Sequence, residues 1–233
     1  MKVFSILTAI TLFFTVMSCE DGNELSDDHY KTDETGYVND MFPEYSAESS
    51  YDTQECGPDF YPCPPNGVRR FQVLEDIPFI PVGSYGELLA GDDGVAWLHD
   101  FYAMRNDGKK LIYLTVSAGW CSVCAYQLPN LDNVAEDYVD EVIFLTIAQQ
   151  DDSGYTADID FAETYQNRYN MDAENVFVTA DYNWDFYKIM NVKAFPFNAI
   201  INLETMEVIK YPDAAFSVSE YADNIESALL SVK

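Results

Sequence analysis

At 233 residues the chain is long enough for one domain with its own core plus appendages. Lys and Arg total 12 against 40 Asp and Glu, and the resulting net charge of −28 repels phosphate, which argues against nucleic acid and anionic lipid surfaces as partners. Five cysteines is an odd number, which in an exported protein leaves one thiol to be accounted for.

Lys2 is followed by fifteen uncharged residues, 3–17, and then by Ser18-Cys19-Glu20-Asp21. That run falls short of the roughly 20 residues of a membrane span but fits the apolar region of a secretory signal. Val16-Met17-Ser18-Cys19 resembles a bacterial lipobox. The resemblance implies a signal peptide over residues 1–18, and Cys19 as the lipidated first residue of a membrane-anchored, extracytoplasmic lipoprotein on the periplasmic face. An ordinary cleaved signal or an uncleaved anchor, with Cys19 incidental, is the alternative and delivers the domain to the same side.

Residues 20–59 hold thirteen acidic residues against one lysine, with little apolar periodicity. This composition predicts a solvated tether, so 19–66 is read as an acidic linker. With Cys19 assigned to lipid and Cys121 paired with Cys124, Cys56 and Cys63 remain. In an oxidising compartment they are candidates to close a small, proline-stiffened loop; two separate thiols is the alternative. The turn-rich run 61–67 marks the boundary of a folded domain over 67–233.

Residues 68–99 read as an N-terminal extension, short apolar groups broken by Pro and Gly, with His99 a surface or packing residue. Continuous branched and aromatic runs at 111–116 and 142–147 predict strands buried on both faces of a parallel sheet. Between them Cys121, Cys124, Leu128, Leu131, Val134 or Ala135, and Tyr138 recur at helical spacing, with a kink expected at Pro129, which lacks an N–H for the Ala125 carbonyl. A helix over 157–169, a strand at 176–179, and a helix capped by Asp181 and running to about Met190 follow. Residues 197–203 and 206–211 read as an antiparallel pair. Ser217-Val218-Ser219-Glu220 reads as a capping box that opens a terminal helix with Tyr221, Ile225, Ala228, Leu229 and Val232 on one face.

The chemistry points to Trp120-Cys121-Ser122-Val123-Cys124, where a strand hands over to a helix. Unpaired N–H groups and the positive dipole end of a helix stabilise a thiolate at Cys121. As nucleophile, Cys121 would attack a substrate disulfide; Cys124, one turn on, would resolve the mixed disulfide without any cofactor. A zinc site would need a second ligand pair, for which Cys56 and Cys63 have an untypical spacing and His29 and His99 are the sole histidines. No metal is therefore assigned.

This order of elements, with Trp120, both cysteines, Pro129 five residues after Cys124, and Phe195-Pro196 entering the hairpin, resembles the thioredoxin fold: α/β, a central mixed sheet flanked by helices, here with an N-terminal extension. Leu98-His99-Asp100-Phe101 followed by Gly108-Lys109-Lys110 is similar to redoxin and TlpA-like domains. The resemblance implies a membrane-anchored thiol-disulfide oxidoreductase acting on protein disulfides or dithiols, more often reducing them, and then re-reduced by a membrane electron donor. It also implies a cis peptide at Pro196, with Phe195 available to a substrate segment; simple core packing of Phe195 is the alternative. The sequence departs from the family at Val123, where proline is frequent. It departs again at Thr115 and Gln127, where carboxylates serve as proton acceptors for the resolving thiol, so that water, Gln127 as a hydrogen-bonding relay, or a carboxylate from elsewhere would have to help deprotonate Cys124. Two rival readings stand beside this one. A binding module with a permanent Cys121–Cys124 disulfide is the first. A peroxiredoxin-like peroxidase is the second, disfavoured because Ala118 and Cys121 occupy the positions where that chemistry needs Thr or Ser. A metallochaperone would want a histidine near the dithiol.

Overall fold

The structure, a computed structural model, describes residues 60–232 apart from Pro64, Pro65, Val68, Arg70, Phe71, Tyr182 and Asn191. The expected signal peptide, Cys19, the acidic stretch and Cys56 lie outside the described residues. Cys63 lies within them and is disulfide-bonded.

The N-terminal extension is more ordered than its broken apolar pattern predicts. It forms β1 (Pro78–Phe79), β2 (Pro81–Val82), α1 (Gly83–Ala90), β3 (Ala96–Trp97) and α2 (Leu98–Ala103). A helix was not expected over Gly83–Ala90 because glycines at 83 and 86 weaken it. Tertiary contact reverses that penalty: a Cβ at Gly86 would stand 2.9 Å from the Pro81 Cβ, so only glycine lets α1 fold back onto β2. Gly91, at φ 66, stops the helix, its N–H donating to the Glu87 carbonyl.

The core follows as β4 (Leu111–Ala118), α3 (Ser122–Gln127), α4 (Leu131–Asp137), β5 (Val142–Gln150), α5 (Ile159–Tyr169), β6 (Val176–Ala180), α6 (Asp185–Met190), β7 (Phe197–Asn202), β8 (Glu207–Lys210) and α7 (Val218–Ser231). The six-stranded sheet runs β2-β6-β5-β4-β7-β8. Strands β4, β5 and β6 are parallel; β2, β7 and β8 pair antiparallel to their neighbours. As the continuous apolar runs predict, every residue of β4 is buried. Both central strands extend past the predicted ends into Ser117, Ala118, Gln149 and Gln150, because the ladder with neighbouring strands continues where the apolar pattern stops.

One face of the sheet packs on Leu98, Phe101, Phe186 and Met190 of α2 and α6. The other packs on the dithiol helix, α4, α5 and α7 through Cys124, Leu131, Tyr165, Tyr221 and Ile225. The edge of β8 is covered by the N-terminal segment: Val208 N–H donates to the Gln72 carbonyl at 3.2 Å and Leu74 N–H to the Met206 carbonyl at 2.7 Å. Tyr61 is buried on the same layer, its hydroxyl donating to the Leu74 carbonyl at 2.8 Å.

Pro129 interrupts the dithiol helix as expected; a 3-10 turn at Leu128–Asn130 separates α3 from α4. Asp181 caps α6 from a distance, its carboxylate accepting from the N–H groups of Phe186 and Tyr187, so the helix begins later than the sequence pattern implied. At α7 the Ser217 hydroxyl accepts from Glu220 N–H as expected. The return bond differs: the Glu220 carboxylate takes the Phe216 N–H, one residue ahead of the cap.

His99 is held by Asp76, which is 3 % exposed, with Nδ1 2.7 Å from Oδ2 and the His99 backbone N–H donating to Oδ1 at 3.0 Å. This pair ties the segment before β1 to the start of α2. The bond to Asp76 raises the His99 pKa above its ordinary value. Burial pushes the Asp181 carboxyl up to about 7. Both folded values exceed the unfolded ones, so both groups stabilise the fold at low pH and lose that contribution as pH rises through their folded values. The Asp181 contribution is lost as pH rises from 3.8 to about 7, and that of His99 as pH rises above 6.5. The melting midpoint is therefore expected to fall as pH rises through that range, and Asp181→Asn combined with His99→Gln to flatten that fall. Thermal melts across the range decide it; a midpoint that holds or rises contradicts the assignment.

Candidate active site

The site is built where β4 ends. Ala118 and Gly119 carry the chain off the sheet, and Gly119 N–H donates to the Gln150 carbonyl at 2.8 Å. A Cβ at Gly119 would meet the backbone nitrogen of Asp152 and the Phe161 ring, each at 2.7 Å, so the turn requires glycine. Trp120 follows, its indole N–H donating to the Gln150 side-chain oxygen at 2.8 Å. Cys121 is the N-cap of α3, and its sulfur accepts from the Cys124 N–H at 3.2 Å. The two cysteines are joined in a disulfide, their Cα atoms 5.3 Å apart. Cys121 is 1 % exposed and Cys124 is fully buried, whereas Trp120 is 37 % exposed.

The peptide between Phe195 and Pro196 is cis. The Phe195 ring meets Trp120 edge-on with centroids 5.8 Å apart and packs against both layers of the core. Phe195 is therefore half-buried, a packing residue and a wall of the dithiol site at once.

Thr115 and Gln127, the two positions that lack a carboxylate, are brought together by a residue that the sequence pattern did not single out. Thr115 Oγ1 and Gln127 Nε2 both donate to Asn198 Oδ1, each at 2.9 Å. Asn198 Nδ2 donates back to Gln127 Oε1 at 3.1 Å and to the Asp213 carbonyl at 3.4 Å, and Ala215 N–H donates to Gln127 Oε1 at 3.2 Å. All three side chains are buried. Buried polar groups of this kind need partners, and here each amide supplies what the other lacks. The one signal in the sequence is a polar residue two places after Pro196, between Phe197 and the apolar run Ala199-Ile200-Ile201.

Beside this network the phenols of Tyr113 and Tyr221 pack at 5.2 Å, and burial pushes both above the ordinary tyrosine range. Asp152 and Arg168, next to Gly119, form an exposed bidentate ion pair with both contacts at 2.7 Å. Among the described residues no cluster of His, Cys, Asp and Glu is arranged to hold a metal ion, and no helix is long and apolar enough to cross a membrane.

No family model matches the chain. An uncharacterized protein of Haemophilus influenzae is 25 % identical over 93 residues, which are 40 % of this chain and 58 % of that relative's length. Among solved structures, one from Bacteroides thetaiotaomicron, described as a candidate protein disulfide isomerase, matches with a TM-score of 0.50 at 15 % identity, over 71 % of this chain and 91 % of that one. The thioredoxin domain of a Bacteroides vulgatus thiol-disulfide oxidoreductase matches with a TM-score of 0.49 at 12 % identity, over 72 % and 100 % of the two chains. An exposed lipoprotein thioredoxin of Streptococcus pneumoniae matches at 0.48 and 22 % identity, over 66 % and 99 %. The chain has a thioredoxin-like fold.

Proposed function

We propose that this protein is a membrane-anchored, extracytoplasmic thiol-disulfide oxidoreductase that reduces protein disulfides through Cys121 and Cys124. The observation that carries the reading is the Cys121 sulfur, capping α3 and bonded to Cys124 on the same turn as the exposed Trp120. In the reduced protein the helix terminus favours the Cys121 thiolate. That thiolate attacks a substrate sulfur, the substrate S–S bond breaks, and a mixed disulfide forms. Cys124 then displaces the second sulfur, so the substrate leaves as a dithiol and the protein as the disulfide. A membrane dithiol donor restores the reduced state. The uncharged run at 3–17, Cys19 and the acidic stretch behind it support the lipid anchor and the extracytoplasmic address. The resemblance of residues 98–101 and 108–110 to redoxin and TlpA-like domains supports the reducing direction.

A second reading, a binding module with a permanent disulfide, is favoured by the near-complete burial of both cysteines. The reduction potential of the pair separates the two, measured in the chain with Cys19, Cys56 and Cys63 replaced by serine. A value near about −270 mV is expected; one near about −120 mV would make the protein an oxidant. A disulfide that resists reduction and exchanges with no polypeptide substrate would establish the binding module instead.

A further inference from the structure

We propose that Asn198 is the positioning residue of the dithiol: its carboxamide ties Gln127 on the dithiol helix to Thr115 and to the strand behind Pro196, fixing a buried, charge-free floor on the face that carries Cys124. The proposal rests on the oxidoreductase reading and adds to it what governs the resolving step.

Asn198 is suited to this by register. It lies opposite Thr115 in the antiparallel β4–β7 pair, two residues beyond the cis peptide, and is 3 % exposed. Gln127 follows Cys124 by three residues in α3, so both lie on one helix face. One carboxamide therefore holds the strand that leads into Cys121, the helix that starts there, the strand behind Pro196 and, through the Asp213 carbonyl, the approach to α7.

The chemical consequence follows from the neutrality of the floor. In resolution, Cys124 gives up its proton and its sulfur electron pair forms the Cys121–Cys124 bond. The bond from Cys121 to the substrate sulfur breaks with its pair going to the substrate, which leaves as a thiolate and takes up a proton. Thr115, Gln127 and Asn198 offer no base for the Cys124 proton. From β4 and α7, Tyr113 and Tyr221 face the network as phenols held neutral by burial; from α5, Tyr165 donates to the Ala118 carbonyl and is likewise pushed up. Asp213 offers the network its backbone carbonyl. The Asp152–Arg168 pair lies at the exposed Gly119 turn and is mutually neutralised. The proton thus goes to solvent base, and closure tracks the thiolate fraction of Cys124, rising about tenfold per pH unit below its pKa.

The test follows closure in the reduced full chain with a symmetrical aromatic disulfide whose thiolate is coloured. One equivalent is released as Cys121 reacts and a second as Cys124 closes the bond. Each trace is corrected by the same protein carrying Cys124→Ser. Asn198→Asp, which places a carboxylate in the floor, is expected to close at least about tenfold faster near pH 6 and with a flattened pH dependence. Asn198→Ala is expected to close more slowly with the native steepness, because Gln127 and Thr115 lose their common partner. If Asn198→Asp does not fold, Gln127→Glu puts the carboxyl on the helix side of the same pair and is read in the same way. Folded acidic variants that keep the native pH profile, or an Asn198→Ala protein that closes at the native rate, overturn the proposal. The reagent reacts with any accessible thiol, so this readout stands apart from the oxidoreductase reading, which fails separately if the native protein exchanges with no polypeptide disulfide.

Discussion

Cys124→Ser protein, reduced and mixed with a disulfide-bonded polypeptide, is expected to accumulate a covalent complex through Cys121, while Cys121→Ser loses exchange by at least about a thousandfold. The asymmetry follows from position. Cys121 caps α3 and accepts the Cys124 N–H, whereas Cys124 lies inside the first turn, fully buried. A thiolate at the first position is stabilised by the helix terminus, and one at the second is penalised by burial. Non-reducing gels and intact mass of the trapped species decide it. Complexes that form equally well in Cys121→Ser would reverse the assignment of nucleophile and resolver.

The largest loss of stability from a single truncation is expected in β4, the strand that delivers the dithiol. Leu114 is fully buried, with Leu145 and Ala199 opposite it on the two flanking strands. Because β4 is hydrogen-bonded on both edges, the backbone cannot collapse into the space left by Leu114→Ala. The cost is expected near the middle of the range for buried leucines, about 3–4 kcal/mol. For a domain of this size that lowers the melting midpoint by roughly 10 °C. Leu230→Ala, at a position 67 % exposed on α7, serves as the control and should stay within about 0.5 kcal/mol of the native protein. Chemical denaturation of both variants checks the contrast; a Leu114→Ala loss below about 1 kcal/mol would mean that β4 is not the rigid centre of the core.

Local patterns were enough to read the two central strands, the kink at Pro129, the hairpin and the terminal helix, because each is written in consecutive residues: a branched apolar run, a missing N–H, a cap followed by a helical stripe. The dithiol was legible for the same reason, as was its place at a strand-to-helix junction. Contacts between distant segments were not legible. Helix α1 was missed because its glycines argue against a helix, and only the approach to Pro81 requires them. His99 read as a surface or packing residue with no partner in view, and Asp76, 23 residues before it, carried no signal of its own. Thr115 and Gln127 read as two separate absences of a carboxylate; with Asn198 83 and 71 residues away from them, only the register of β7 on β4 and the packing of α3 make them one network. Hydrogen-bond partners of buried polar side chains are chosen by where strands and helices come to rest, and no periodicity along the chain encodes that choice.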